Sequence, residues 1–150
     1  NGFSNTLRTG KYYFEVELTA NNSSTFLGLA DNAISSAGNF TSGTFTLYNA
    51  SDAWFPNGAS TNIPSSNRAD ATGDYFMIAY DTSTREIWMG MNGAWHEDPN
   101  TTSSSHLVGS SSTTAFKLMV GGAGGTFTAN IITGGSGTFN SSVPTGFSAL

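Results

Sequence analysis

The chain contains no cysteine. Disulfides, thiolate metal sites and cysteine nucleophiles are therefore excluded. The compartment stays open, because an extracellular protein can do without disulfides. Basic residues are scarce: five, at positions 8, 11, 68, 85 and 117, against ten acidic ones, for a net charge of −5. They form no stripe that would follow a phosphate backbone, which argues against nucleic-acid binding. No apolar run is long enough to span a bilayer, so membrane insertion is not expected. The N-terminus has neither a basic start nor an apolar signal stretch. It also lacks an initiating Met, so "NGFSNTLRTGK" is expected to follow processing or to belong to something larger.

What is present is polar without being charged. Gly, Ser, Thr and Asn dominate, and only 10% of residues are charged. Strong helix formers are rare on any prospective surface face. Hydroxyls and amides must supply the solubility, a pattern that suits an all-β extracellular or virion protein. With 150 residues the chain suits one domain, 1–150, which buries roughly 68–70% of its unfolded surface. The sequons "NFT" at 39 and "NAS" at 49 are expected by chance in so Ser- and Thr-rich a chain.

Periodicity predicts strands throughout. In "KYYFEVELT" (11–19), Tyr12, Phe14, Val16 and Leu18 point one way, and Tyr13, Glu15, Glu17 and Thr19 the other. "TFLGLAD" (25–31) is a short apolar strand with an internal glycine. "GTFTLYN" (43–49) alternates again, and "AWFPNGA" (53–59) is an aromatic pair ahead of a Pro-Asn-Gly turn. "GDYFMIAYD" (73–81) looks covered on both faces; "TST" turns the chain and "REIWMGMN" returns it as a hairpin. Asn92-Gly93 supplies the positive φ values of a second tight turn. "AFKLMVGG" (115–122) and "TFTANIIT" (126–133) are expected to pair across a glycine turn, with a polar loop over 100–113. No segment reads as a helix, and strands every dozen residues argue for a β-sandwich.

Three constellations deserve weighing as chemistry. Glu15 and Glu17 share a strand face with backbones about 6.6–6.8 Å apart. Glycosidases need carboxyls about 5–5.5 Å or about 6.5–9.5 Å apart, so geometry permits a catalytic pair. A solvated strand face is the plainer reading, since laminarinase-like glucanases use three acids in a tight run and Leu18-Thr19 follow here. His96, Glu97 and Asp98 are consecutive and fan outward, and His106 sits in a flexible-looking loop, so ligand spacing is lacking. A calcium ion on Asp98 and loop carbonyls is open, as it is for Asp70 and Asp74, with turn acids preferred. No G-x-S-x-G elbow occurs, and "GGAGG" (121–125) lies between strands and not before a helix. No catalytic residue, metal or cofactor is assigned.

The same segments carry a family likeness. "TGKYYFEVEL", "FLGLAD" and "TGDYFMIAYDTSTREIWMGMNGAWHEDP" resemble the SPRY domain. Gly73-Asp74, Asp81, Ile87-Trp88 and Asn92-Gly93 fall on its pattern in order. The closing "VPTGFSAL" resembles the ending of SPRY-like domains in bacteriophage virion proteins. The likeness runs over roughly 10–150 and is weakest over 32–72. Met89-Gly90-Met91 depart from its aromatic-rich run, and "TFTANIIT" matches only loosely. It implies a concanavalin-like antiparallel sandwich and a binding or structural module without catalysis. Animal SPRY domains bind peptides through loops, but those loop residues have no match here.

The resulting expectation is a non-enzymatic module of a tailed-phage virion, on a tail fibre or as a capsid decoration. Its partners would be other virion proteins, copies of itself, and a host-surface glycan or protein. A carbohydrate-binding module of a secreted bacterial protein is the alternative, and a glycosidase on Glu15/Glu17 stands third. Ligand contacts are placed on two aromatic loops, Trp54, Phe55 and Asn57 in one and Trp95, His96 and Asp98 in the other. The competing reading has Trp54 and Trp95 capping the core.

Overall fold

The computed structural model describes residues 2–20, 25–34, 44–48, 53–56, 61–62, 71–104, 106–122 and 128–150. Among these residues there are strands and turns and no helix. In chain order the strands are β1 (Gly2–Thr6), β2 (Lys11–Ala20), β3 (Thr25–Asp31), β4 (Thr44–Tyr48), β5 (Ala53–Pro56) and β6 (Thr61–Asn62). They continue as β7 (Tyr75–Asp81), β8 (Glu86–Met91), β9 (Ala94–Trp95), β10 (Phe116–Gly122), β11 (Thr128–Ile132) and β12 (Ser148–Ala149). One sheet runs β1-β10-β3-β4-β5-β6; the other runs β11-β2-β7-β8-β9. Every pairing on these two paths is antiparallel.

Period-two alternation lets each sheet turn one apolar face inward. From the second sheet come Phe14, Val16, Leu18, Phe76, Ile78, Tyr80, Ile87, Met89 and Met91. Leu27, Leu29, Phe116 and Leu118 meet them from the first, and all are buried. Each such side chain contributes about 1.5–3 kcal/mol on leaving water, so this layer dominates the stabilisation. The inward sets on β2, β7 and β8 are those the alternation predicts. Asn92 at φ 50 and Gly93 at φ 85 close the β8–β9 turn, as the Asn-Gly pair requires.

Four features depart from the sequence reading. β10 and β11 do not pair with each other: β10 lies between β1 and β3, and β11 flanks β2 in the opposite sheet. The chain therefore changes sheet between β10 and β11. β1 has a mixed polar composition and was not anticipated; it pairs with β10. The 100–113 stretch is polar but anchored. Val108 N–H donates to Arg85 O, Ile87 N–H to His106 O, and the Ser104 hydroxyl to Ile87 O.

The fourth departure matters most for function. The β2 face carrying Tyr13 and Glu15 is not solvated; it continues the covered face of Met77, Ala79 and Trp88. Phe139, Val143 and Phe147 from the C-terminal segment pack over it, together with Tyr75 and Trp95. β12 then pairs in parallel with Tyr12 and Tyr13. β11 takes the Glu15–Ala20 part of β2, and β12 takes the part β11 leaves open. Glycine is required at position 90, because a Cβ there would lie 2.5 Å from Ala94 O and 2.5 Å from Met77 Cε.

Candidate functional site

The carboxylate pair is taken apart by the outer layer. Glu15 is fully buried, and both its oxygens are occupied. Oε1 accepts from Tyr13 OH (2.6 Å) and Ser141 N–H (2.8 Å); Oε2 accepts from Asn140 N–H (2.8 Å) and Asn140 Nδ2 (3.0 Å). A buried carboxylate is tolerated only with such a full set of donors. Burial foremost, and then the Glu15 carboxylate, push the Tyr13 phenol far above its ordinary value, so Tyr13 stays a donor. Glu17 instead is half-buried and lines an open groove of about 610 Å³ beside β11. Glu15 does not line that groove, so the groove does not present both carboxyls to one bond.

The His96–Asp98 corner is assembled by contacts that sequence spacing does not show. Asp98 closes a local turn: its Oδ1 accepts from Asn100 N–H and Nδ2, and its carbonyl from Thr101 and Thr102 N–H. Glu97 Oε2 lies 3.3 Å from His106 Nδ1 and 3.2 Å from the Ser104 hydroxyl oxygen. The rings of His96 and His106 are 5.5 Å apart. Burial first, then the neighbouring His106, hold the His96 imidazole below its ordinary range, against a smaller opposing pull from Glu97. Among the described residues, no three His, Cys, Asp or Glu side chains are placed to hold a metal ion. Asp74 is also a turn acid, accepting from Ala71 N–H and Asn92 Nδ2; Asp70 lies outside the described residues.

The two proposed aromatic loops differ in kind. Trp54 and Phe55 lie on strand β5, and Asn57 falls outside the described residues. Trp95 ends β9 opposite Gly90 and is half-buried. Its ring centroid lies 6.0 Å from that of Tyr13, which ties it to the outer layer. His96 next to it keeps part of its surface in solvent.

A different opening has cross-linked walls. At the end of the sandwich where β2 begins and β7 finishes, three segments meet around a groove of about 510 Å³. They are residues 9–11, the β7–β8 turn and the 111–114 loop. Gly10 N–H donates to Thr82 Oγ1, Thr82 N–H to Gly10 O, and Arg85 Nη1 to Gly109 O. Thr113 Oγ1 accepts from Ser110 N–H and donates to Asp31. Lys11, with a half-exposed side chain, sits 3.4 Å from the buried Asp81. Burial alone would raise the Asp81 carboxyl, but the Ser83 hydroxyl and N–H, then Lys11, hold it below the usual carboxylate range. No motif announced this groove, because its lining comes from segments about seventy and a hundred positions apart.

No protein-family model matches the sequence, and neither does any curated protein sequence. Solved structures do resemble it. The SPRY domain of human HERC1 superposes with a TM-score of 0.61 at 15% identity, over 86% of this chain and 77% of that one. A second human SPRY domain superposes with a TM-score of 0.60 at 13% identity, over 88% of this chain and 97% of that one. The fold is that of a SPRY domain. The two antiparallel sheets are thus the concanavalin-like sandwich expected from the Gly73-Asp74, Asp81, Ile87-Trp88 and Asn92-Gly93 pattern. In this SPRY fold Gly73-Asp74 introduces β7 and Asn92-Gly93 turns β8 into β9.

Proposed function

We propose that this SPRY-fold chain is a non-enzymatic binding module working in a tailed-phage virion, on a tail fibre or as a capsid decoration. The observation that carries the non-enzymatic part is Glu15, whose carboxylate is sealed and fully bonded and so is withdrawn from any acid–base pair. The virion setting is supported by the hydroxyl- and amide-rich composition and by the "VPTGFSAL" ending. Rigid sheets with loops at their ends suit a module whose partners are read by loops. Its partners are other virion proteins, copies of itself or a host-surface protein or glycan.

The test has two arms. Antiserum against the chain should decorate virus particles released by the producing cells, seen by electron microscopy. Purified protein should liberate no reducing sugar from host-surface polysaccharide. Undecorated particles would remove the virion setting, and hydrolysis lost in Glu17→Gln would remove the non-enzymatic reading.

A further inference from the structure

The basic residues of this chain gather at one end. Net charge is −5, yet four of the five basic residues, Arg8, Lys11, Arg85 and Lys117, lie at the end where β2 and β10 begin. Lys11 is opposite Asp81 and Lys117 opposite Thr6, and Arg8 lies between β1 and β2. The fifth, Arg68, lies outside the described residues. Three carboxylates share that end, Asp31 closing β3, Asp81 closing β7 and Glu86 opening β8, while at the opposite end Glu17 pairs with Tyr75 and Asp74 introduces β7. The groove belongs to the basic end, and its lining holds two cations against one carboxylate.

That carboxylate is already committed. Asp81 Oδ1 accepts from the Ser83 N–H and hydroxyl, and Oδ2 faces Lys11. Arg85 is not exhausted: its bond to Gly109 O uses one of five guanidinium donors. Its backbone is also costly, with φ at 64 in the left-handed region that Gly or Asn fills without strain. An Arg is thus held where the turn itself favours another residue. No aromatic side chain lines the groove, so a neutral sugar ring finds no platform there. Fixed cations amid hydroxyls on cross-linked loops recognise a carboxylate with little reordering.

We propose that this groove is the docking site for an acidic peptide segment of a protein partner, with its carboxylates received by Lys11 and Arg85. The inference rests on the binding-module reading and names the partner's chemistry; it does not depend on the virion setting. Partly exposed cations of this kind also steer encounter, so binding weakens as salt rises.

Fluorescence anisotropy with labelled hexaglutamate tests it, with hexaglutamine and a labelled oligogalacturonate as the other probes. Hexaglutamate should bind, hexaglutamine should not, and the affinity should fall with added salt. Arg85→Asn suits the left-handed turn, and Lys11→Gln keeps a polar stem beside Asp81; each should weaken binding about tenfold while far-UV circular dichroism shows the fold retained. Ser111→Asp adds an anion at an exposed wall position and should weaken binding as well, while Glu17→Gln at the far end should not. Equal binding of hexaglutamine, no response to any groove variant, or preference for oligogalacturonate would each overturn the proposal. Partner capture that survives all three groove variants would sink the groove while leaving the module reading in place.

Discussion

The second sheet has two faces, and they are covered by different means. Its inner face meets another sheet, so regular strands supply apolar side chains at every second position. Its outer face meets residues 139–147, which are not strand; three apolar side chains cover it, and Asn140 and Ser141 donate three hydrogen bonds to the buried Glu15 carboxylate of β2. The inner layer is held mainly by area removed from water. The outer layer depends on a polar clamp whose failure leaves donors stranded. Burial alone therefore does not say how an element is attached.

The largest effects should come from truncating a ring in either layer. Phe76→Ala and Trp88→Ala should each cost about 3–5 kcal/mol in urea unfolding. Phe76 sits between the sheets, whereas Trp88 packs edge-on against Phe147 and donates from Nε1 to Thr102 O. A cost under 1 kcal/mol for Trp88→Ala would show that the outer layer is not part of the cooperative unit.

Glu15→Ala should come next, at about 2–4 kcal/mol, because the Asn140 and Ser141 N–H groups and Tyr13 OH lose their acceptor. Hydrogen exchange should accelerate over 139–147 before it does in β7 and β8. Uniform acceleration would mean that the clamp and the inner core share one fate. Glu15→Gln should lie in between, since its amide oxygen keeps only part of the acceptance.

A tyrosine in each layer gives a smaller, pH-dependent contrast. Burial pushes the phenols of Tyr13 and Tyr80 well above their ordinary value of 10.0. With the folded value raised, their contribution is complete below about pH 10 and is lost as pH rises beyond it. Tyr13→Phe should flatten the alkaline fall for the outer layer, and Tyr80→Phe for the inner. The smallest effect belongs to His96, whose folded value is depressed below 6.5. Its contribution is present above that pH and fades as pH falls, so His96→Gln should flatten a slight acid-side loss. NMR titration of the imidazole checks the direction.

The two layers also differ in how far the sequence reveals them. Inner-face residues recur with period two, so β2, β3, β7 and β8 could be read locally, and "TFLGLAD" matches β3 from Thr25 to Asp31. The outer layer carries no such signal. Asn140 meets Glu15 across 125 positions, from a segment of Gly, Ser and Thr with scattered aromatics. Pattern alone pairs "TFTANIIT" with β10, whereas β11 lies beside β2, because a glycine-rich link reads the same whether the chain reverses in one sheet or passes to the other. At the candidate sites, Asn92-Gly93 was legible from two residues, but the His106–Glu97 contact needed the 98–104 turn to fold back. The basic end needed the topology, since Arg8, Lys11, Arg85 and Lys117 are scattered in sequence and gathered only by strand direction.

The parallel pairing of Ser148–Ala149 with Tyr12–Tyr13 has a consequence for biosynthesis. A ribosome delivers β2 long before residues 139–149. During that interval β7 and β8 can already flank β2, while Tyr13, Met77, Ala79 and Trp88 stand uncovered and one side of Tyr12–Tyr13 is an open edge. Nascent chains at that stage carry both an apolar surface and a strand edge, the two features that invite association with the wrong neighbour. The clamp on Glu15 is thus also a completion signal, and a chain cut before residue 139 should leave a larger insoluble fraction than one carried through residue 150.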